Sequence, residues 1–228
     1  MKQSVAFEIM FCSFLLRSLE TETIETGLIH DLSNNVGNEN NIDRHSSLFN
    51  LKKELAKRGG EDQLVMLLSG MGGTGKSQVI KAFYDYAETV SNFCGWEFDE
   101  HTIVITALTG SAATELENCY TFHSAIKISQ AIKDDNRIMW KNTQMIIIDE
   151  VSFLTTSLLI KGDRQMRLLK EIKTLFGKCH VVFSGDFHQL LPIGGKALFE
   201  EETVQFGAIN KAISVSYTHL TLPTIYSV

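Results

Sequence analysis

The run Gly70-Met71-Gly72-Gly73-Thr74-Gly75-Lys76-Ser77 constrains this chain more than any other feature. It fits the pattern G-x-x-x-x-G-K-[ST], and its flanks suit that pattern. Gln63 to Ser69 ahead of it is short and apolar, as a strand buried on both faces is. From Lys76 to about Val90 the spacing predicts a helix. Glycines allow backbone angles and close approach that a side chain would block. Amides from Gly73 to Ser77 can then face phosphate oxygens, with the positive end of the new helix behind them. The expected cradle comprises Gly70, Gly72, Gly73, Thr74, Gly75, Lys76 and Ser77. Within it Lys76 brings a full charge to the outer phosphates, and Ser77 offers a hydroxyl to magnesium.

Such a loop stands on a parallel sheet, and the chain downstream supplies more strands. His101 to Thr106, Gln144 to Ile148 and His180 to Ser184 are short apolar runs of the buried-strand kind. Ser111 to Asn118 reads as a short helix. Phe153 to Phe176 reads as mostly helical, with Leu158, Leu159, Leu168, Leu169 and Ile172 as candidate core positions. Strands alternating with helices predict an α/β fold, a parallel sheet covered on both faces. At 228 residues and 44% hydrophobic, the chain can bury such a core in one or two domains. Its net charge of −6 argues against binding dominated by charge complementarity to nucleic acid, but leaves room for a local groove. Cys12, Cys94, Cys119 and Cys179 show no C-x-x-C spacing, which speaks against zinc and for reduced thiols.

The second chemical signal follows the strand expected at Gln144 to Ile148. Ile146-Ile147-Ile148-Asp149-Glu150 places two carboxylates directly after a buried run. Ligand sites in open parallel sheets form beyond the carboxyl ends of strands, where the phosphate loop also emerges. Asp149 would hold the magnesium, directly or through water. Glu150 would orient and deprotonate the attacking water. A helix start that merely favours acids would look the same in isolation. With the glycine loop beside it, the pair implies a nucleoside triphosphatase.

Three further segments narrow that class. They are Thr106-Ala107-Leu108-Thr109-Gly110-Ser111-Ala112-Ala113, Thr121-Phe122-His123-Ser124 and Ser184-Gly185-Asp186-Phe187-His188-Gln189-Leu190-Leu191-Pro192-Ile193. Together with the glycine loop and the acidic pair, they resemble in sequence and order the petite integration frequency (PIF) family of DNA helicases. That family is the RecD-like branch of helicase superfamily one. The resemblance runs from about Gln63 to Ile193. It implies a P-loop NTPase with a RecA-like first motor domain, ATP hydrolysis with magnesium, and five-prime-to-three-prime movement on single-stranded DNA, with forked duplex DNA as a further partner. It makes Lys76, Glu150 and Gln189 the catalytic set, with Gln189 sensing the terminal phosphate. It makes Asp186 the coupler of nucleotide state to DNA, and places Thr106, Thr109, Ser111 and His123 along the DNA path. Small hydroxyl groups suit such a path, because they contact phosphates without blocking a sliding strand. The family acts in repair, recombination and telomere maintenance, in nucleus or mitochondrion, or in the cytoplasm of bacteria.

The chain also departs from that family. Leu191 stands where a proline usually precedes Pro192, and Asn118-Cys119-Tyr120 where a glycine pair is common. An upstream glutamine motif, which recognises adenine, is not evident ahead of the phosphate loop. Arg164 and Arg167 do not match the arginine finger of the second motor domain, which is expected to be missing in cis. Two other readings compete: a P-loop ATPase that is not a helicase, and an inert nucleic-acid-binding remnant of a mobile-element gene.

Residues 1–44 are poorly readable. Val5 to Leu16 is apolar but carries Glu8 and is too short to cross a bilayer, so a buried helix or strand is expected and no membrane role. Asn34 to Asn41 reads as a linker, and the segment from Ser46 to Gly59 as a helix. Residues 45–214 form the expected motor domain. Val215 to Thr224 resembles a translated sequencing adapter, so residues 215–228 are expected to be non-native and the chain a fragment binding nucleotide without unwinding.

Overall fold

The computed structural model describes residues 2–32 (side chains over 3–21), 63–128, 130–187 and, further on, Gln189, Leu190, Pro192, Gly195, Ala197 and Leu198. The expected linker at 34–41, the helix after Ser46 and the tail from 215 lie outside the described residues.

Among the described residues, five parallel strands make one sheet. They are β1 (Val65–Ser69), β2 (Ile103–Ala107), β3 (Cys119–Thr121), β4 (Met145–Asp149) and β5 (His180–Gly185), in the spatial order β1-β5-β4-β2-β3. Alternation along the strands sorts their side chains onto two faces. Met66, Leu68, Ile103, Ile105, Met145, Ile147 and Val182 face one way, and Val104, Ile146, Ile148, Val181 and Phe183 the other. Both faces are apolar because helices cover both, as a parallel sheet requires.

The first face is covered by α1 (Lys2–Leu32) and α2 (Lys76–Cys94). Ala6, Met10 and Phe14 recur every fourth residue, and all are fully buried against Ile80 and Phe83. The rings of Phe14 and Phe83 meet edge-on at 6.2 Å. Lys2–Leu32 of the poorly readable segment is therefore a long helix, and within Val5 to Leu16 it is Ala6, Met10 and Phe14 that join the core on this face of the sheet. No helix among the described residues is long and apolar enough to cross a membrane. Gly75 opens α2 at φ 84° and Gly95 closes it at φ 75°, left-handed positions that glycine takes without strain.

The second face is covered by α4 (Phe122–Ala125), α5 (Asp134–Lys141) and α6 (Thr156–Lys170), with α3 (Gly110–Ala113) between β2 and β3. Several expectations are corrected here. The helix expected over Ser111 to Asn118 stops at Ala113, and the chain turns through Asn118 at φ 54° into β3, a strand too short and too polar to show as an apolar run. Nor was α5 expected; its eight residues carry few apolar side chains. The single helix expected from Phe153 divides. Val151–Phe153 is a 3-10 turn, Thr155 caps α6 by accepting from the Leu158 amide, and α6 ends at Lys170 before Glu171 at φ 55°. Along α6 the buried stripe is Leu159, Gly162, Asp163, Met166 and Leu169. Leu168 falls off that stripe and is 57% exposed, so it is not a core residue; Leu158 and Ile172 are half-buried.

Candidate functional site

Register places the candidate groups on one rim. Ser69 pairs with Gly185, Ala107 with Asp149, and Ala107 with Thr121 on its other side. With Ile148 opposite Phe183, the ends of all five strands fall within one residue of each other. The glycine loop, the acidic pair, the Thr109 turn, the His123 turn and the Asp186 turn all leave the same edge.

The loop itself is tightly folded. Gly73 has φ 75°, and the Thr74 hydroxyl donates to Met71 O at 2.8 Å. A Cβ on Gly70 would lie 2.7 Å from that hydroxyl, so a larger residue there would break the turn. The Lys76 ammonium donates to Gly70 O at 2.7 Å and Met71 O at 3.1 Å, which folds its chain back across the loop. No side chain caps the start of α2 and no acid sits in its first turn. Its amides and positive dipole end are left for an anion. Ser77 is exposed at the same helix start.

Further along the same rim, Asp149 is 8% exposed at the end of β4, and Glu150 follows it at φ 58°. Burial pushes the Glu150 carboxyl above its ordinary range, and Asp149 adds repulsion. Lys76 pulls it back down, while Glu115 and Asp186 push it up again. That mutual influence puts Lys76, Glu150 and Asp186 in one electrostatic neighbourhood. Asp186 is 6% exposed, and its carbonyl accepts from the Gln189 amide at 3.2 Å. The Gln189 side chain returns to the loop, its Nε2 lying 3.3 Å from where a Cβ on Gly72 would stand. Gly70 N donates to Gly185 O at 3.3 Å, which ties the loop to β5.

The expected DNA track is only partly assembled. Thr109 caps α3 by accepting from the Ala112 amide, and its hydroxyl lies 3.3 Å from that of exposed Ser111. Thr121 caps α4 and bonds the Ser124 hydroxyl at 2.8 Å, with His123 exposed between them. Thr106 does not belong with them. It is fully buried and donates to Ile147 O at 2.9 Å, so its hydroxyl holds β2 to β4 and is not on the rim surface. Its place inside the strand excludes it. Arg167 is likewise committed: it pairs with buried Asp163 at 2.8 Å and donates to Lys173 O at 2.7 Å.

One residue at the site was missed. Gln3, at the start of α1, donates its side-chain amide to Thr74 O, and a Cβ on Gly75 would lie 2.7 Å from its nitrogen. No motif spacing signals this contact, because 71 residues separate the partners. Among the described residues no three His, Cys, Asp or Glu side chains form a metal cage. One carboxylate and one hydroxyl do suit magnesium, which keeps waters and takes its other oxygens from phosphates.

Comparison with known proteins matches residues 51–222 to the model of the PIF1-like helicase family. ATP-dependent DNA helicase RRM3 of Saccharomyces cerevisiae is 31% identical over 150 residues, covering 60% of this chain and 19% of that protein. ATP-dependent DNA helicase PIF1 of Emericella nidulans is 29% identical over 191 residues, covering 76% of this chain and 24% of that protein. The crystal structure of Bacteroides Pif1 bound to single-stranded DNA superposes with a TM-score of 0.46 at 23% identity, covering 67% of this chain and 33% of that one. The chain thus spans about a quarter or less of the two curated relatives.

Proposed function

The chain belongs to the PIF1-like helicase family, and on that premise we propose that it is the first motor unit of an ATP-dependent DNA helicase. The observation that carries the reading is the register of the sheet: the phosphate loop leaves β1 and the acidic pair leaves β4 at the same rim, with only β5 between them.

In this reading the Gly73–Ser77 amides and the Lys76 ammonium hold the triphosphate, and Lys76 exchanges its bonds to Gly70 O and Met71 O for the outer phosphates. Ser77 and Asp149 would hold magnesium, whose charge offsets that of the phosphates. Glu150 accepts a proton from the attacking water. Its raised affinity for a proton suits that role, since a general base works best when its pKa lies near the operating pH. Gln189, already against the loop at Gly72, reports the terminal phosphate, and Asp186 in the same turn relays it toward the DNA side. Thr109, Ser111 and His123 contact a single strand running along the rim; Thr106 takes no part.

Movement is five-prime to three-prime, on single-stranded DNA and at forks. A second motor domain, supplied outside these residues, closes the cleft and brings the arginine finger. Alone, this chain binds nucleotide weakly and does not unwind. The cellular setting proposed is DNA repair, recombination or telomere maintenance, in the nucleus or mitochondrion of a eukaryote or the cytoplasm of a bacterium.

The test is phosphate release by the full gene product, with and without an oligodeoxynucleotide, for the natural sequence and Lys76→Ala. Loss of an electrostatic anchor of this kind costs roughly a hundredfold or more in turnover. Equal DNA-stimulated turnover in the two proteins would refute the assignment.

A further inference from the structure

α6 is a regular helix with a glycine inside it, Gly162, at a position where alanine would favour the helix. Nothing in the helix backbone asks for glycine there. The reason lies across the packing interface. A Cβ on Gly162 would stand 2.7 Å from Cζ and 3.1 Å from Cε1 of Phe122, and 3.4 Å from Cδ1 of Ile126. Phe122 and Ile126 are both fully buried, and both sit in the segment that carries His123 and Ser124. The missing side chain on α6 is the socket for that ring.

A second contact from the same helix reaches the same segment. The Gln165 amide, three residues on from Gly162, donates to Lys127 O at 2.9 Å. Lys127 has φ 56°, a left-handed conformation that a lysine keeps only when its surroundings fix it. The short segment is thus held at both ends. Phe122 is seated on Gly162 at its start, and Lys127 is pinned by Gln165 at its end. Between them His123 O accepts from the Ile128 amide at 3.1 Å. With only one helical turn of its own, α4 cannot set its position unaided.

We propose that Gly162 and Gln165 are positioning residues for DNA binding: they make α6 a back-plate that fixes where His123 and Ser124 stand on the rim. This rests on the reading above, in which His123 lies along the DNA path. Neither residue faces DNA. Both act through the segment they hold.

The test uses the 228-residue chain, anisotropy of a dye-labelled oligothymidylate at low salt, and a fluorescent ATP analogue for the nucleotide site. Gly162→Ala is expected to weaken oligothymidylate binding about fivefold or more while leaving ATP-analogue binding within about twofold. Phe122→Leu removes the ring atoms that the new methyl would strike. The double variant Gly162→Ala/Phe122→Leu should therefore return to within about twofold of Phe122→Leu alone, while retained ATP-analogue binding by Gly162→Ala separates a shifted segment from a general loss of stability. Unchanged binding by Gly162→Ala, or a double variant as weak as Gly162→Ala itself, overturns the proposal. Should Gly162→Ala fail to fold, Gln165→Ala carries the test, and unaltered oligothymidylate binding there overturns it. His123→Ala separates the two levels. If it binds as the natural chain does, or if the natural chain shows no DNA binding, the DNA reading itself falls and this inference with it. If His123→Ala is weak but Gly162→Ala is not, only the positioning proposal falls.

Discussion

Replacing Gly185 by alanine puts a methyl group where two rim turns touch. The new Cβ would lie 2.8 Å from Val151 N and 2.9 Å from Val151 Cγ1, with the Glu150 carbonyl carbon at 3.5 Å. Contacts to backbone cannot be relieved by a rotamer change. Val151 is 1% exposed and so has no open side to retreat toward. Overpacking of this sort costs about 1–3 kcal/mol, and the middle of that range is appropriate because one of the two close contacts is backbone. With a urea slope of about 2 kcal/mol per molar, a loss near 2 kcal/mol moves the midpoint down by about 1 M. Equilibrium urea unfolding followed by circular dichroism reads this directly. Gly110→Ala is the control, because a Cβ there meets nothing within 4 Å and would sit at the start of a helix. Its midpoint should stay within about 0.25 M of the natural chain, a change of about 0.5 kcal/mol at that slope. Two variants with the same midpoint would refute the argument that β5 and the Glu150 turn are in contact through Gly185.

Two further predictions concern pH. Glu150 holds its proton more tightly when folded than when unfolded, chiefly through burial and then through Asp149. The folded state therefore carries the extra proton, and stability falls as pH rises from the ordinary carboxylate range through the raised folded value. Glu150→Gln should remove that fall, gaining on the natural chain toward neutral pH and losing the gain in acid; parallel stability–pH curves would contradict it. His180 behaves oppositely. It is buried, its Nδ1 accepts from the Leu64 amide at 2.9 Å, and burial, followed by the nearby Arg17 charge, drives its pKa down to about 3. Its unfolded form binds the extra proton, so stability is intact above the ordinary histidine range and drains away as pH falls toward 3. His180→Gln keeps an acceptor for Leu64 without the titration, and its urea midpoint should depend less on pH between 6 and 4; an unchanged dependence would assign the acid loss to other groups.

The motifs on the rim were legible because local chemistry writes them. A phosphate loop needs glycine at set spacings, and the acids must follow a strand. The strands beneath were legible for the same reason: Ile146, Ile147 and Ile148 form a continuous apolar run only because both sheet faces are covered. What could not be read depends on distant partners. β3 has three residues and gains its identity from pairing with β2. α1 has no clear apolar stripe in its sequence, and its role appears only once Ala6, Met10 and Phe14 meet Ile80 and Phe83 of α2. Thr106 was misplaced on the DNA path because its hydroxyl type suited the role; the strand register, which turns that hydroxyl toward Ile147, is a tertiary fact. Gln3 reaches Thr74 for a reason no spacing rule contains.

The acidic pair is held in place at the expense of local comfort. Glu150 sits at φ 58°, a left-handed position costing a residue with a Cβ about 1–2 kcal/mol, and its carboxyl is half-buried beside Asp149. Two substitutions separate these burdens. Glu150→Ala removes the charge but keeps the strained backbone. Glu150→Gly removes both, and the greater freedom of glycine in the unfolded chain offsets part of the relief. At an ordinary position alanine is the more stable of the two by about 0.5–1 kcal/mol. Here the order should invert, with the glycine variant ahead by a comparable amount in urea unfolding. Hydrolysis by the full gene product should be lost in both, because neither side chain can take a proton from water. An alanine variant at least as stable as the glycine one would mean that the backbone at 150 is not pinned left-handed. The close packing of Val151 under Gly185 would then no longer account for where the carboxylate stands.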